Sequence, residues 1–181
     1  MYYECRKVGV LKKTTVLVLI VASLVIVIDQ AVKYLVSTSL PLGGAWSPLP
    51  DLHPFFQIVH VANTGVAFGL LRDLGMVFII VPLAISGIIV YYAWRLRPDQ
   101  KFMAVALGLT LGGALGNVID RVRLGYVVDY FDIGVGTLRN ASNFADWSIV
   151  LGVILLGVAT LLDERKQKQS KKSEGMPHSN P

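Results

Sequence analysis

With 181 residues, 54% of them hydrophobic and only 16% charged, the chain is too apolar for an ordinary soluble domain, where about a quarter of residues are charged. The net charge of +5 comes from basic clusters flanking apolar runs rather than from a basic, aromatic-studded surface, which excludes a nucleic-acid partner. The lone cysteine, Cys5, excludes an internal disulfide, and no Cys/His cluster offers a metal site.

The first apolar run, residues 14–28, follows the basic start Arg6, Lys7, Lys12 and Lys13. It has no A-x-A-like cleavage site, and Asp29 and Lys33 come directly after it, so it is predicted to be an uncleaved membrane anchor. A span needs roughly 20 residues, which the flanking residues supply, giving a helix over about 14–35. The loop 37–72 opens with turn formers (Pro41, Gly43, Gly44, Pro48, Pro50) and continues as "FFQIVHVAN", rich in β-branched and aromatic residues; one or two short strands are expected there. His53 and His60 lie in that loop without metal-ligand spacing, and His178 lies in a polar tail, so structural or solvent-facing roles are expected for all three.

Two further apolar runs predict helices over 74–94 and 102–121, joined by a tight connector. The third helix carries Gly108, Gly112 and Gly116 at four-residue spacing with Gly113 beside them, a pattern that lets helices approach closely in lipid. The loop 122–143 holds "YVVDYFDIGVGTLRN", strand-like with glycine turns, and a fourth helix is predicted over 144–162. The two strand-rich loops can pair into a small sheet over the helix ends. Residues 164–181 read as a disordered basic tail. The fold class is therefore an all-α integral membrane protein of four transmembrane helices, one domain over 1–163, with a small β-rich extracytoplasmic structure. Lys and Arg concentrate before the first helix, in the connector and after the fourth helix, so the positive-inside rule places both termini in the cytoplasm.

That topology puts Asp29, Asp51, Asp73, Asp120, Asp129, Asp132 and Asp146 on the outer side. An aspartate at the centre of a span costs about 2.5–3.5 kcal/mol, and less near the interface. Several at one depth, at the outer helix ends, mark a functional site. Asp146 also has a local explanation: Asn143 three residues earlier suits an N-cap, with Asp146 as the acid of a capping-box-like pair. Asp129, in "GYVVDYF", has no cap role, and Asp132 rivals it on physical grounds. Asp29 and Lys33 share a helical face, and by spacing alone they form an interfacial ion pair of little energy. Asn117 and Arg121 share a face at the outer end of the third helix, and Asn63 suits the start of a turn.

Five segments occur in order on this frame: "IDQAVK" (Asp29, Lys33), "NTGVAF" (Asn63, Gly65, Ala67), "GGALGNVIDR" (Gly113, Asn117, Arg121), "VVDY" (Asp129) and "NFAD" (Asn143, Ala145, Asp146). Together they resemble the lipoprotein signal peptidases (signal peptidase II), aspartic peptidases of the bacterial inner membrane. The resemblance covers nearly the whole chain apart from its ends. It implies that Asp129 and Asp146 are the catalytic dyad, and that the other named residues support the dyad or position substrate. It further implies a small β-cradle over an active site near the outer face. Diacylglyceryl-modified prolipoproteins, cut before the lipidated cysteine, would be the substrates; membrane lipids would be partners of a cofactor-free monomer, and globomycin-like peptides would inhibit it. The chain departs from the usual family residues at Ser142, Tyr130 (both commonly phenylalanine) and Val66 (commonly alanine), changes expected to affect packing and substrate shape rather than chemistry.

In such a dyad two close carboxylates share one proton. The apolar flanks of Asp129 favour the proton there, and the helix terminus favours an ionised Asp146 as base. A proton-coupled transporter is the rival class, but relay acids would be expected at several depths, and the inner halves of the spans lack them. A non-catalytic assembly factor would leave the paired acids unexplained. A serine–lysine peptidase lacks a serine to partner Lys33.

Overall fold

Strings of Val, Ile and Leu long enough to span lipid become helices because only a helix satisfies every backbone group internally there. The computed structural model describes residues 12–53, 55–65 and 76–174. Its long helices are α1 (Lys13–Ser39), α2 (Val77–Arg95), α3 (Lys101–Leu124) and α4 (Phe144–Glu174). Each contains a stretch long and apolar enough to cross a membrane. Between α1 and α2 come β1 (Ala45–Trp46), a short 3-10 turn and β2 (Phe56–Asn63); between α3 and α4 come β3 (Val127–Val135) and β4 (Leu138–Ser142).

α3 is the central helix: 67% of its apolar window is buried, against 28%, 17% and 22% for α1, α2 and α4. Its small residues are the reason. A Cβ at Gly108 would stand 2.7 Å from Val21 Cβ, and one at Gly112 would stand 2.7 Å from the Ala22 carbonyl oxygen, so α1 closes onto α3 only because those side chains are missing. On the α4 side a Cβ at Gly113 would run into the carbonyl oxygen of Ala145 and lie 2.8 Å from Ile149 Cγ1. Val18, Ala22, Ile89, Ala93, Leu107 and Leu111 form the core where α1, α2 and α3 meet. Leu24, Ile80, Ile88, Val150 and Ile154 point outward from the bundle, as expected of surfaces solvated by acyl chains.

The strands form one antiparallel sheet in the order β1-β2-β3-β4. Its central pairing sets Val61 opposite Asp129 and Asn63 opposite Val127. α3 stops at Gly125, whose left-handed φ of +81° and N–H bond to the Arg121 carbonyl (3.1 Å) close the helix before β3 begins. β4 runs into Asn143, and α4 starts at the next residue. Two aspartates far apart in sequence are thus delivered to one end of the bundle, Asp129 by the strand after α3 and Asp146 by the first turn of α4.

Four antiparallel strands and four apolar helices match the expected fold class, including the pairing of the two loops. The boundaries differ in places. α1 continues to Ser39 and α3 to Leu124. α4 continues to Glu174, so the segment expected to be disordered from 164 is helical that far. Its Glu, Arg, Lys and Gln residues are good helix formers, and neither Gly nor Pro interrupts them before Gly175. Cys5, Val66, Ala67, Arg72, Asp73 and His178 lie outside the described residues.

Candidate functional site

Asn143 joins the two principal carboxylates. Its side-chain amide donates to Asp129 Oδ1 at 2.7 Å, and its own Oδ1 accepts the main-chain N–H of Asp146 at 2.9 Å. The Asn143 N–H in turn donates to Asp146 Oδ2 at 3.4 Å. These two bonds are the reciprocal pair of a capping box, with Asn143 as N-cap and Asp146 three positions on. The local reading of Asp146 is therefore correct and incomplete, because the cap residue also holds a second, distant acid. Asp129 is 1% exposed and Asn143 wholly buried. Burial pushes the Asp129 carboxyl above its ordinary value, against the opposing hydrogen bonds from Asn63 and Asn143.

Three asparagines aim their amide NH2 groups at these acids, and in each case a donor at the other end dictates the direction. The Asn143 oxygen is taken by the Asp146 N–H. The Asn63 oxygen accepts the Gly65 N–H at 2.8 Å, leaving its NH2 on Asp129 Oδ2 at 2.8 Å. The Asn117 oxygen accepts Lys33 Nζ at 2.9 Å, leaving its NH2 on Asp146 Oδ1 at 2.7 Å. An ammonium has donors only, so Lys33 permits no other orientation of Asn117.

Lys33 sits at the centre of a buried cluster. Its ammonium meets Asp29 Oδ2 and Asp120 Oδ2, both at 2.8 Å, as well as Asn117. That makes three acceptors for three N–H groups. Side-chain exposure is 3% for Lys33 and 0% for Asp29, so the expectation of a weak interfacial pair fails: the pair is enclosed, and its members depend on one another. Asp120 Oδ1 accepts Gln30 Nε2 at 2.8 Å, and its Oδ2 also accepts the Val128 N–H at 3.2 Å. Asp120 thereby ties α3 to β3 one residue before Asp129.

The first turn of α4 is held from three directions. The Phe144 N–H donates to the Tyr130 hydroxyl of β3 (3.0 Å), the Ala145 N–H to Asp29 Oδ1 of α1 (3.0 Å), and the Asp146 N–H to Asn143. Each is a donor that a helix start cannot satisfy internally. Tyr130 and Ser142, expected to affect packing, also make polar contacts. Tyr130 supplies the first of these acceptors, and burial raises its hydroxyl pKa further, so it stays neutral. Ser142 Oγ accepts the indole N–H of Trp147 at 3.0 Å.

Of the remaining expected residues, Gly113 and Ala145 form the close α3–α4 contact, and Gly65 turns the chain with a φ of +75°. Arg121 lays its guanidinium over the Phe78 ring at 5.5 Å, where it feels the charges of Asp146, Asp129 and Asp120. Ala67 lies outside the described residues. Asp132, the rival of Asp129, is bonded by Arg139 Nε at 2.6 Å within the β3–β4 hairpin. Gln30 and Tyr130 belong to the site but were not expected to hold it, and Asp120 was expected only as one of the outer acids, not as a partner of Lys33. Gln30 and Asp120 adjoin expected residues, whereas a buried tyrosine hydroxyl at a helix start leaves no local pattern.

Comparison with known proteins shows the family to which the chain belongs. A family model described as signal peptidase (SPase) II matches residues 21–162. A lipoprotein signal peptidase of Moorella thermoacetica is 42% identical over 150 residues, covering 82% of this chain and 95% of that one. One from Syntrophus aciditrophicus is 36% identical over 164 residues, covering 87% and 99%. Two solved structures described as bacterial membrane enzymes superpose with TM-scores of 0.68 and 0.70 at 32% and 34% identity, covering 91% and 84% of this chain and 94% and 98% of theirs. The chain belongs to the signal peptidase II family of lipoprotein signal peptidases, which are aspartic peptidases.

Proposed function

We propose that the chain removes signal peptides from diacylglyceryl-modified prolipoproteins by cutting before the lipidated cysteine, with Asp129 and Asp146 as the catalytic dyad. The observation that carries this reading is Asn143, whose side-chain amide donates to the Asp129 carboxylate and whose main-chain N–H donates to that of Asp146, at the junction of sheet and helices. Asp29, Lys33, Asn63, Asn117 and Asn143 hold the dyad, while Arg121 and the Gly65 turn face the substrate side. The distribution of basic segments supports a topology with the sheet-bearing end outside the cytoplasmic membrane of a bacterium and both termini inside. There a lipidated cysteine can keep its acyl chains in the bilayer while water reaches the dyad.

The two acids share one proton. Burial in apolar strand surroundings favours it on Asp129, while Asp146 sits at the helix start, where a negative charge is stabilised. Asp146 takes a proton from water as that water attacks the scissile carbonyl, and Asp129 protonates the carbonyl oxygen, giving a neutral tetrahedral diol. Collapse breaks the C–N bond, the leaving amine takes a proton from Asp146, and Asp129 recovers its own.

Cleavage of a purified diacylglyceryl prolipoprotein by wild type, Asp129→Asn and Asp146→Asn tests the assignment. Each substitution keeps size and hydrogen-bonding capacity, so loss of turnover by on the order of 10⁴-fold is expected in both. Near-normal hydrolysis in either variant refutes the dyad.

A further inference from the structure

Where the last two turns of α1 pass the sheet, the two stand apart around an apolar cavity of about 510 Å³, walled by Val32, Leu35 and Val36 of α1 and by Trp46, Ile58 and Phe131 of β1, β2 and β3. None of its lining residues is charged, and the polar groups among their side chains are the Ser39 and Tyr130 hydroxyls and the Trp46 indole N–H. The Tyr130 hydroxyl is already engaged, accepting the Phe144 N–H at the start of α4. A cavity this poor in polar partners suits neither a charged headgroup nor a peptide backbone, and apolar cavities stay dry. Hydrocarbon is the chemistry that fits.

The bilayer supplies it. At 3.6 residues per turn, Leu24, Ile28, Val32, Leu35 and Ser39 fall on one stripe of α1. Leu24 and Ile28 are exposed on the surface that acyl chains solvate, so the stripe leads from that surface into the cavity. Trp46, also exposed, stands among the lining residues, and tryptophans favour the headgroup level. The length of α1 from Ser39 back to Val32 is about 10 Å, enough for the upper part of one chain. We propose that this cavity takes one acyl chain of a bilayer phospholipid, and that the bound chain supports Tyr130 where it holds the start of α4. Tyr130 is 1% exposed and lines the cavity, so its ring gains dispersion contacts on that side from the chain. Its hydroxyl passes that support to the Phe144 N–H, two residues before Asp146. The inference does not depend on the reaction proposed above.

The test uses the full chain in a steroid-based detergent, which has no flexible alkyl chain, with phosphatidylcholine carrying a photoreactive diazirine in the upper half of one acyl chain. Photolysis and peptide mapping should label Val36 and Tyr130, which are 6% and 1% exposed and out of reach of lipid that merely surrounds the bundle. Leu35→Trp, at an exposed position that accepts a large apolar side chain, should block the cavity and cut this labelling about tenfold. Hydrogen exchange reads the second half of the proposal: added phosphatidylcholine should slow the Phe144 amide about tenfold in wild type and leave it unchanged in Leu35→Trp. Labelling confined to exposed positions, as when another segment of this chain or a second copy fills the cavity, overturns the proposal. So does labelling displaced by a diacylglyceryl lipopeptide but not by excess unlabelled phosphatidylcholine, which would make the cavity a substrate subsite. A Phe144 amide indifferent to lipid while Val36 is labelled overturns the support assigned to Tyr130.

Discussion

Lys33 sets the orientation of Asn117: the ammonium donates to the amide oxygen at 2.9 Å, so the amide NH2 faces Asp146, 2.7 Å away. A charge buried on α1 thereby determines what kind of group meets a carboxylate on α4. The same logic recurs at Asn63 and Asn143, each turned toward Asp129 by a main-chain N–H on its other side. Asp129 and Asp146 are surrounded by donors whose direction is fixed by other donors, so under the proposed mechanism little reorganisation would be needed when charge moves during reaction.

Asn117→Asp isolates this effect, because it preserves shape and keeps an acceptor for Lys33. The new carboxyl can donate to Asp146 only when protonated, and when ionised it repels Asp146. Cleavage at neutral pH should fall on the order of a hundredfold, with residual activity rising as the pH is lowered. A pH–rate profile parallel to that of wild type would show that the donated hydrogen bond is unimportant.

Asp129 makes a second, thermodynamic prediction. Burial holds its carboxyl above the ordinary 3.8, so the native state binds this proton more tightly than the unfolded chain does. Its stabilising contribution is fully present below 3.8 and is lost as the pH rises through the folded-state value. Asp129→Asn carries no such titration. The stability of wild type relative to that variant should therefore be greatest in acid and decline toward neutrality. Thermal unfolding in detergent from about pH 3 to about pH 8 measures it, and a difference that grows with pH would contradict the buried, proton-favouring environment.

Most of the frame was legible because lipid imposes strong rules: apolar length gave the helices, and β-branched loops gave the strands. Asn143 and Asp146 were legible as a cap because a capping box is local, with its parts three residues apart. What stayed hidden is long-range. Nothing in the spacing of Asp29 and Lys33 says that Asp120 completes their cluster and makes it buried; that depends on Gly116 letting α1 approach, since a Cβ there would lie 2.8 Å from Asp29 Oδ2. Between Asp129 and Asp132 the flanking sequence could not choose, because Arg139, which engages Asp132, comes from the next strand. The end of α4 was misplaced because hydropathy marks the end of the apolar run, whereas a helix of charged, unbranched residues continues beyond it.

Tyr130 provides the sharpest test of how α4 is anchored. Its hydroxyl accepts the Phe144 N–H at 3.0 Å, the first of three consecutive main-chain donors that receive side-chain acceptors from β3, α1 and the cap residue. Tyr130→Phe keeps the buried ring and removes only that acceptor, so the lost energy belongs to the hydrogen bond rather than to packing. The expected cost is about 1 kcal/mol of stability, comparable to deletion of a helix cap. Hydrogen exchange should localise the change, with the Phe144 amide losing protection while the amides in the middle of α4 keep theirs. Asp29 and Asn143 still hold the next two donors, so the helix start loosens without detaching, and any decline in cleavage should be smaller than that of Asn117→Asp. Unchanged stability together with a still-protected Phe144 amide would mean that the hydroxyl is not what holds this end of the helix.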